Sequence, residues 1–374
     1  MPSFKPVKLW EAPPHTLAKL EIVSRYLFAR FTIIGSNPQN RRLLYIDGFA
    51  GPGRYTNTQK SSPTVALQAA RCALDRPGAN LQNTEFSFLF VEKKPEFAAS
   101  LREVISKGNW PPQFKWSVEE GSFEEKVGGI LASLHKDGKT LAPTFAFIDP
   151  FGATGLPFKV IANILTHKSC EVLLNLDSDG IGRLVTAQQF EKNQEHLDSL
   201  FGDQNWRTEL NPRLPMPELA AQILAAYKRR LRKVARYAFA FAMNSREGQL
   251  NYHLVFASQH PLGLEKMKEA MKAVDQTGDY SFSDDTVGQG MLPFDFNAPA
   301  IWADRMKQAL GGSWRPYEDF RDYALNETPF INAKAMLQHL ETQGFIEVDA
   351  SESRRRGSFP EEKVRRILIQ QTLL

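Results

Sequence analysis

Short apolar runs alternate with amphipathic stretches along most of the chain. Residues 16–31 place Leu17, Leu20, Val23, Tyr26, Leu27 and Phe31 at helical spacing, and this predicts a helix ahead of Leu43-Leu44-Tyr45-Ile46, a buried strand. Further strands are predicted at 85–91, 114–118, 144–148 and 171–176, with helices at 62–74, 95–106 and from about 122 to 135 between them. Helices at 183–200 and 217–234, strands at 237–243 and 252–257 joined as a hairpin through 244–249, and a helix at 262–274 follow. Apolar strands alternating with amphipathic helices call for an α/β fold, a Rossmann-like, mostly parallel sheet with helices on both faces. The two late strands would complete a seven-stranded sheet.

Between 275 and 299 the composition shifts to Gly, Ser, Asp and Pro, as in a linker or a cleft-covering loop. Helices at 301–310, 316–324 and 332–343 come next, then strands at 344–348 and 364–369 flanking a turn that carries Arg354, Arg355 and Arg356. Three helices and a basic-tipped hairpin make a winged-helix pattern, so the expected division is 1–275, a connecting segment 276–299, and a winged-helix domain 300–374. The region after Ala300 holds eleven basic and eleven acidic residues, so the arginine turn is a local hint of phosphate contact and protein contact stays open. A second basic run includes Arg229, Arg230, Arg232 and Lys233 on the 217–234 helix, where a solvated face is the usual reading and nucleic-acid contact the alternative.

The candidate chemistry lies at the strand ends. Asp47, Glu92, Glu120, Asp149 and Asp177 all fall at or just past the carboxyl ends of successive strands, the edge where open α/β sheets bind ligands. One acid there is commonly a helix cap; five in register predict a polar cleft. After Asp47 the chain runs Phe49-Ala50-Gly51-Pro52-Gly53, a tight loop whose glycines let a ligand approach the backbone. Cys72 and Cys170 have no metal-ligand spacing and the seven histidines form no paired motif, so no metal site is argued. A net charge of +4 with 24% charged residues is ordinary for a globular chain. Neither a signal peptide nor a membrane span is readable, and a cytoplasmic location is expected.

With those residues in place the chain resembles a class I S-adenosylmethionine-dependent methyltransferase, the Phe49–Gly53 loop being similar to the F-x-G-x-G loop of DNA methyltransferases. More closely, it resembles the three-Cys-motif partner family, TcmP, in IDGFAGPGRY, FVEKK, FIDPFG, VLLNLDSDGIGRL and YHLVFASQHPLG. That resemblance implies S-adenosylmethionine as cofactor and a three-cysteine-motif, radical-SAM-like protein as partner. It also implies that Asp47 with Phe49, Ala50, Gly51 and Gly53 holds the methionine end, that Glu92 takes the ribose hydroxyls, and that Ser122 and Phe123 border the adenine, with core packing the competing role for Phe123. Asp149-Pro150-Phe151-Gly152 lies where amino-methyltransferases carry D-P-P-Y or D-P-P-F. There the acid and a proline carbonyl accept from an exocyclic amine while the aromatic ring stacks on the base, which makes Asp149, Pro150 and Phe151 the catalytic candidates. With a single proline before it, the Phe151 ring departs from that pattern.

The implied activity is methyl transfer to an amino group of a nucleic-acid base, DNA or RNA. A cytosine carbon-5 enzyme would need a cysteine after proline, and neither cysteine follows one. Two other classes stay open. A non-catalytic, methyltransferase-like protein would dock its three-cysteine-motif partner onto nucleic acid. A metal-dependent nuclease would use the E-x-K spelled by Glu92-Lys93-Lys94, a short motif that leaves the glycine loop without a purpose.

Overall fold

A computed structural model describes residues 7–187, 190–244, 250–275, 281–283 and 299–370. These fall into two compact units, one reaching to residue 275 and including 281–283, the other covering 299–370. The expected hairpin turn and most of the expected linker lie outside the described residues.

The first unit runs α1 (Pro14–Gly35), β1 (Arg42–Asp47), α2 (Ser62–Leu74), β2 (Glu85–Glu92), α3 (Pro95–Ser106), β3 (Phe114–Glu120), α4 (Phe123–Lys136), β4 (Thr144–Ile148), α5 (Phe158–Thr166) and β5 (Glu171–Leu176). It continues through α6 (Ser178–Thr186), α7 (Phe190–Phe201), α8 (Trp206–Glu209), α9 (Met216–Leu231), β6 (Tyr237–Asn244), β7 (Leu250–Ser258), α10 (Pro261–Lys272) and β8 (Ser281–Ser283). The strand order is β3-β2-β1-β4-β5-β7-β6-β8. β1 to β5 are parallel, and β7 is antiparallel to both β5 and β6. This is a Rossmann-like, mostly parallel sheet with one strand beyond the expected seven, because Ser281–Ser283, inside the expected linker, pairs parallel to β6. α5 was not expected from the sequence pattern, and the helix expected at 183–200 is α6 followed by α7.

Alternation along the strands decides which helices cover which face. Phe86 and Phe88 meet the ring of Phe31 and Phe145 that of Tyr26, both from α1, while Tyr45 stacks on Phe145. On the other face Ile46, Val91, Ala146, Ile148 and Leu174 join one core with Phe123 and Val127 of α4, Ile161 of α5 and Leu219 of α9. Each Val, Leu, Ile or Phe side chain withdrawn from water there contributes about 1.5–3 kcal/mol. A buried charge pair crosses between helix and sheet: the Arg30 guanidinium of α1 meets the Glu171 carboxylate at the start of β5. Glu171 also accepts from Tyr26 Oη at 2.5 Å and Ser258 Oγ at 2.8 Å.

The second unit holds α11 (Pro299–Leu310), β9 (Trp314–Arg315), α12 (Tyr317–Glu327), α13 (Lys334–Thr342), β10 (Ile346–Ala350) and β11 (Val364–Ile369). Its strands form an antiparallel sheet in the order β10-β11-β9. Met306, Phe320, Met336, Leu340 and Ile367 share its core. β9 adds a short third strand to the two expected.

Candidate functional site

The carboxyl edge of the parallel strands carries a cleft of about 200 Å³ bounded by the glycine loop after β1, the Asp149–Gly152 turn after β4, Asn175 of β5 and the first turns of α1. The loop geometry follows from its glycines. Gly51 and Gly53 have φ of +65° and +83°, a region that residues with a Cβ enter only at a cost. A Cβ on Gly51 would project into open space, whereas one on Gly53 would sit 2.9 Å from a methyl of Leu101. Gly51 therefore leaves the cleft wall bare. The closeness of Gly53 to α3 explains the second glycine.

Asp149 is fixed on two sides. Lys19 Nζ of α1 donates to its Oδ2 at 2.6 Å and Asn175 Nδ2 to its Oδ1 at 2.8 Å. The β4–β5 register, Ile148 opposite Leu174, brings Asp149 and Asn175 side by side. Asn175 Oδ1 is buried without a hydrogen-bond partner. Lys19 is 6% exposed. Burial alone would lower its pKa, but the charge of Asp149 and its neighbours outweighs this and holds the ammonium above the usual lysine value. Phe151, 76% exposed, has its ring edge-on to Trp10 at 5.6 Å between centroids, so the aromatic ring stands at the cleft mouth.

The other acids of this edge lie outside the cleft lining. Asp47 is fully buried and does not border the cleft; its carboxylate accepts from Phe49 N and Tyr45 Oη, both at 3.2 Å. Burial, the largest influence, pushes its carboxyl up to about 7; hydrogen bonds from Ser62, Phe49 and Tyr45 oppose the rise and the Asp149 charge adds to it. Through its contact with Phe49 N the carboxylate holds the start of the glycine loop. Glu92, the last residue of β2, accepts from Gly51 N at 2.9 Å and Lys94 N at 2.8 Å, tying the glycine loop to the next strand. Glu120 pairs with Arg102 at 2.6 Å, and Asp177 caps α6 by accepting from Gly180 N at 2.7 Å. Ser122 caps α4 through Glu125 N. Phe123, 2% exposed, packs against Gly48 and the Phe49 ring. The cleft thus gathers Phe49, Ala50, Gly51, Gly53, Asp149, Pro150 and Phe151, while Asp47, Glu92, Ser122 and Phe123 lie outside its lining.

No family model and no curated protein matches the chain. Solved structures do. An O-methyltransferase from Bacillus cereus in complex with SAH aligns at 12% identity over 63% of this chain and 80% of its own, with a TM-score of 0.35. Trm1 from Pyrococcus horikoshii with S-adenosyl-L-methionine aligns at 10% identity over 93% and 90% of the two chains, also at 0.35. Against a Porphyromonas gingivalis W83 structure the values are 11% identity, 64% of this chain and a TM-score of 0.29, and the chain spans only 41% of that one. At such scores the likeness decides nothing about chemistry; the strand order and register of the chain's own sheet carry the fold.

The basic candidates divide by burial. Arg230, 3% exposed, is held by Asp203 and Glu209 at 2.7 and 2.8 Å and stacks over Phe201, so its guanidinium ties α9 to the segment 203–209. Arg229 pairs with Glu209 at 2.9 Å from an exposed position. Arg232 and Lys233 are exposed. In the second unit Arg354 is bound to Glu341 and lies over Phe359, Arg356 donates to the Glu341 carbonyl at 3.0 Å, and Arg355 is exposed.

Lys19, Asn175 and Trp10 were not among the sequence candidates. Two of them left a signal. Lys19 falls in line with Val23 and Tyr26 on the apolar face of α1, and Asn175 interrupts the otherwise apolar run of β5.

Proposed function

We propose that the chain is an S-adenosylmethionine-dependent methyltransferase acting on an amino group of a nucleic-acid base. The observation that carries this reading is a single cleft, at the carboxyl ends of β1 and β4, that joins the bare glycine loop to Asp149. The residues fit the cofactor: Gly51 leaves open space where a side chain would intrude, and the Glu92 carboxylate retains acceptor capacity beyond its two backbone donors. The Phe49–Gly53 loop would hold the cofactor along its backbone, Glu92 the ribose hydroxyls, and Ser122 would stand beside the adenine. When bound, the cofactor supplies an electrophilic methyl group.

Asp149 would accept an N–H of the acceptor amine through lone pairs that Lys19 and Asn175 leave unused. That contact orients the nitrogen, and the Pro150 carbonyl and Phe151 ring would position the base. Asp47 is a positioning residue, acting through Phe49. The second unit, three helices and a three-stranded sheet with an arginine turn, fits a winged helix spanning 300–374 after a methyltransferase-like domain over 1–275. Its exposed Arg355 would meet phosphate. The sequence resemblance to TcmP proteins supports a three-Cys-motif partner.

One observation favours a second reading. Both Asp149 oxygens already have donors inside the protein, as they would in a methyltransferase-like protein that only docks its partner onto nucleic acid. Calorimetric titration with S-adenosylmethionine and S-adenosylhomocysteine, followed by transfer of labelled methyl to tRNA and to DNA with and without the partner, separates the two. Binding with transfer that Asp149→Ala abolishes supports catalysis. Binding without transfer to any acceptor favours docking, and no binding to the intact protein rejects the cofactor reading.

A further inference from the structure

The amino-acid end of S-adenosylmethionine is a zwitterion, and a carboxylate entering a cleft must be given fixed donors in place of the water it loses. Three basic side chains border this cleft: His15, Lys19 and Arg54. Arg54 follows Gly53, and its Nε is buried without a hydrogen-bond partner. Lys19 instead lies between the Asp149 carboxylate, 2.6 Å away, and the ring face of Tyr252, 5.0 Å from the ammonium to the centroid. An ammonium has three donors, and its hydrogen bond to Asp149 uses one.

A buried ion pair contributes little to stability, because the desolvation of both charges offsets their attraction. Lys19 also occupies a position on α1 where the neighbouring turns present Val23 and Tyr26 to the core, and an apolar residue would pack there at less cost. The position makes sense if the charge is needed in the cleft. Ser61 and Ser62, which open α2, border the same pocket as Lys19 and the glycine loop, so the loop, the start of α2 and the ammonium share one wall of the cleft.

We propose that Lys19 is the receptor for the carboxylate of the cofactor's amino-acid end, with Asp149 as the counter-charge that holds the ammonium in place. This rests on the cofactor reading above and adds to it a residue and a direction. The amino-acid end points toward α1, and one side chain links the cofactor to the acid beside the acceptor.

The test compares S-adenosylhomocysteine with 5′-methylthioadenosine, which shares the nucleoside and thioether but lacks the amino-acid end. Calorimetry with the intact protein, Lys19→Met, Lys19→Arg and Arg54→Gln gives the affinity ratio for the two ligands, and thermal melts report folding. The intact protein should prefer S-adenosylhomocysteine. Lys19→Met should weaken that ligand by about tenfold to a hundredfold, as expected for a charge-assisted hydrogen bond, and leave 5′-methylthioadenosine within about twofold. Lys19→Arg should retain most of the preference, and Arg54→Gln all of it. Should Lys19→Met not fold, Lys19→Met combined with Asp149→Asn, which removes both charges, should show the same loss of preference. An unchanged ratio in a folded Lys19→Met protein, an equal loss of both ligands, or no preference in the intact protein overturns the proposal while leaving the cofactor reading intact. Failure of the intact protein to bind either ligand rejects both.

Discussion

Asn175 and Asp149 are locked together by strand register: with Ile148 opposite Leu174, the next residue on each strand is a neighbour, and the amide donates to the carboxylate at 2.8 Å. A carboxylate only accepts, so the amide nitrogen must face it, and this leaves Asn175 Oδ1 buried and unpaired. Asn175→Ala loses one hydrogen bond but also removes an orphaned acceptor. Its folding stability should change by less than about 1 kcal/mol. The freed Asp149 oxygen should nevertheless lower methyl transfer by about tenfold, with cofactor affinity unchanged. Steady-state transfer rates beside calorimetry check this; equal losses in rate and cofactor affinity would show that Asn175 supports the whole cleft.

The two loop glycines should respond differently to the same substitution. Gly51→Ala puts a methyl group into open cleft at φ +65°, which costs about 1–2 kcal/mol of stability and should weaken S-adenosylhomocysteine binding. Gly53→Ala places it 2.9 Å from the Leu101 methyl and 3.4 Å from the Leu101 Cα, so strain is added to the φ penalty. Urea denaturation should find Gly53→Ala the less stable of the two.

Arg30 and Glu171 are buried, and removing one partner strands the other. Arg30→Met should cost about 3–5 kcal/mol, and adding Glu171→Gln should restore part of it. The check is a double-mutant cycle by chemical denaturation. An additive result would mean that Tyr26 and Ser258 satisfy Glu171 without the arginine.

Most of the first unit is readable from sequence because its strands are short, apolar and bounded by glycine or acid, and because helical spacing in 16–31 leaves one face bare. The eighth strand was not readable. Ser281-Phe282-Ser283 lies in a Gly, Ser and Asp stretch and forms a strand only through pairing with Ala242 to Asn244, a tertiary effect. At the site, sequence brought Asp149 and the glycine loop to one edge but treated all the edge acids alike. Burial separates them: Asp47 turns inward, Glu120 and Asp177 serve Arg102 and a helix cap, and only Asp149 borders the cleft. The same limit applies to the basic run, where one helical turn presents Arg229 to solvent and Arg230 to Asp203.

The arginine turn of the second unit separates structure from contact. Arg354 closes on Glu341, whose other oxygen accepts Gly357 N at 2.6 Å, so Arg354→Ala should destabilise that unit by about 1.5–3 kcal/mol. Arg355, exposed, should tolerate alanine without loss of stability. If the turn contacts phosphate, Arg355→Ala should reduce the salt dependence of nucleic-acid binding by about one unit of slope. Fluorescence anisotropy over a salt series measures the slope; an unchanged slope assigns the turn to protein contact.

Asp47 and His253 should give opposite pH dependences of stability. Burial raises the Asp47 carboxyl to about 7, so between its unfolded value near 4 and about 7 the native state holds the extra proton. Stability then falls as pH rises through that window, by roughly 4 kcal/mol in all, and is flat above it. His253, hydrogen-bonded to Ser178 Oγ at 3.0 Å, is pushed down to about 4, chiefly by burial and then by the Lys228 charge. Here the unfolded state holds the extra proton between about 4 and 6.5, so its contribution is complete above pH 6.5 and is lost as pH falls toward 4. The slopes oppose each other below pH 6.5, and the intact protein should show a shallow dependence that conceals both. Asp47→Asn should therefore gain on the intact protein as pH rises from 5 to 7.5, whereas His253→Gln should gain as it falls from 6.5 to 4.5. Urea denaturation across that range, read as differences so that all other titrations cancel, tests both. Parallel curves for Asp47→Asn and the intact protein would mean that Asp47 is ionised throughout in the folded state.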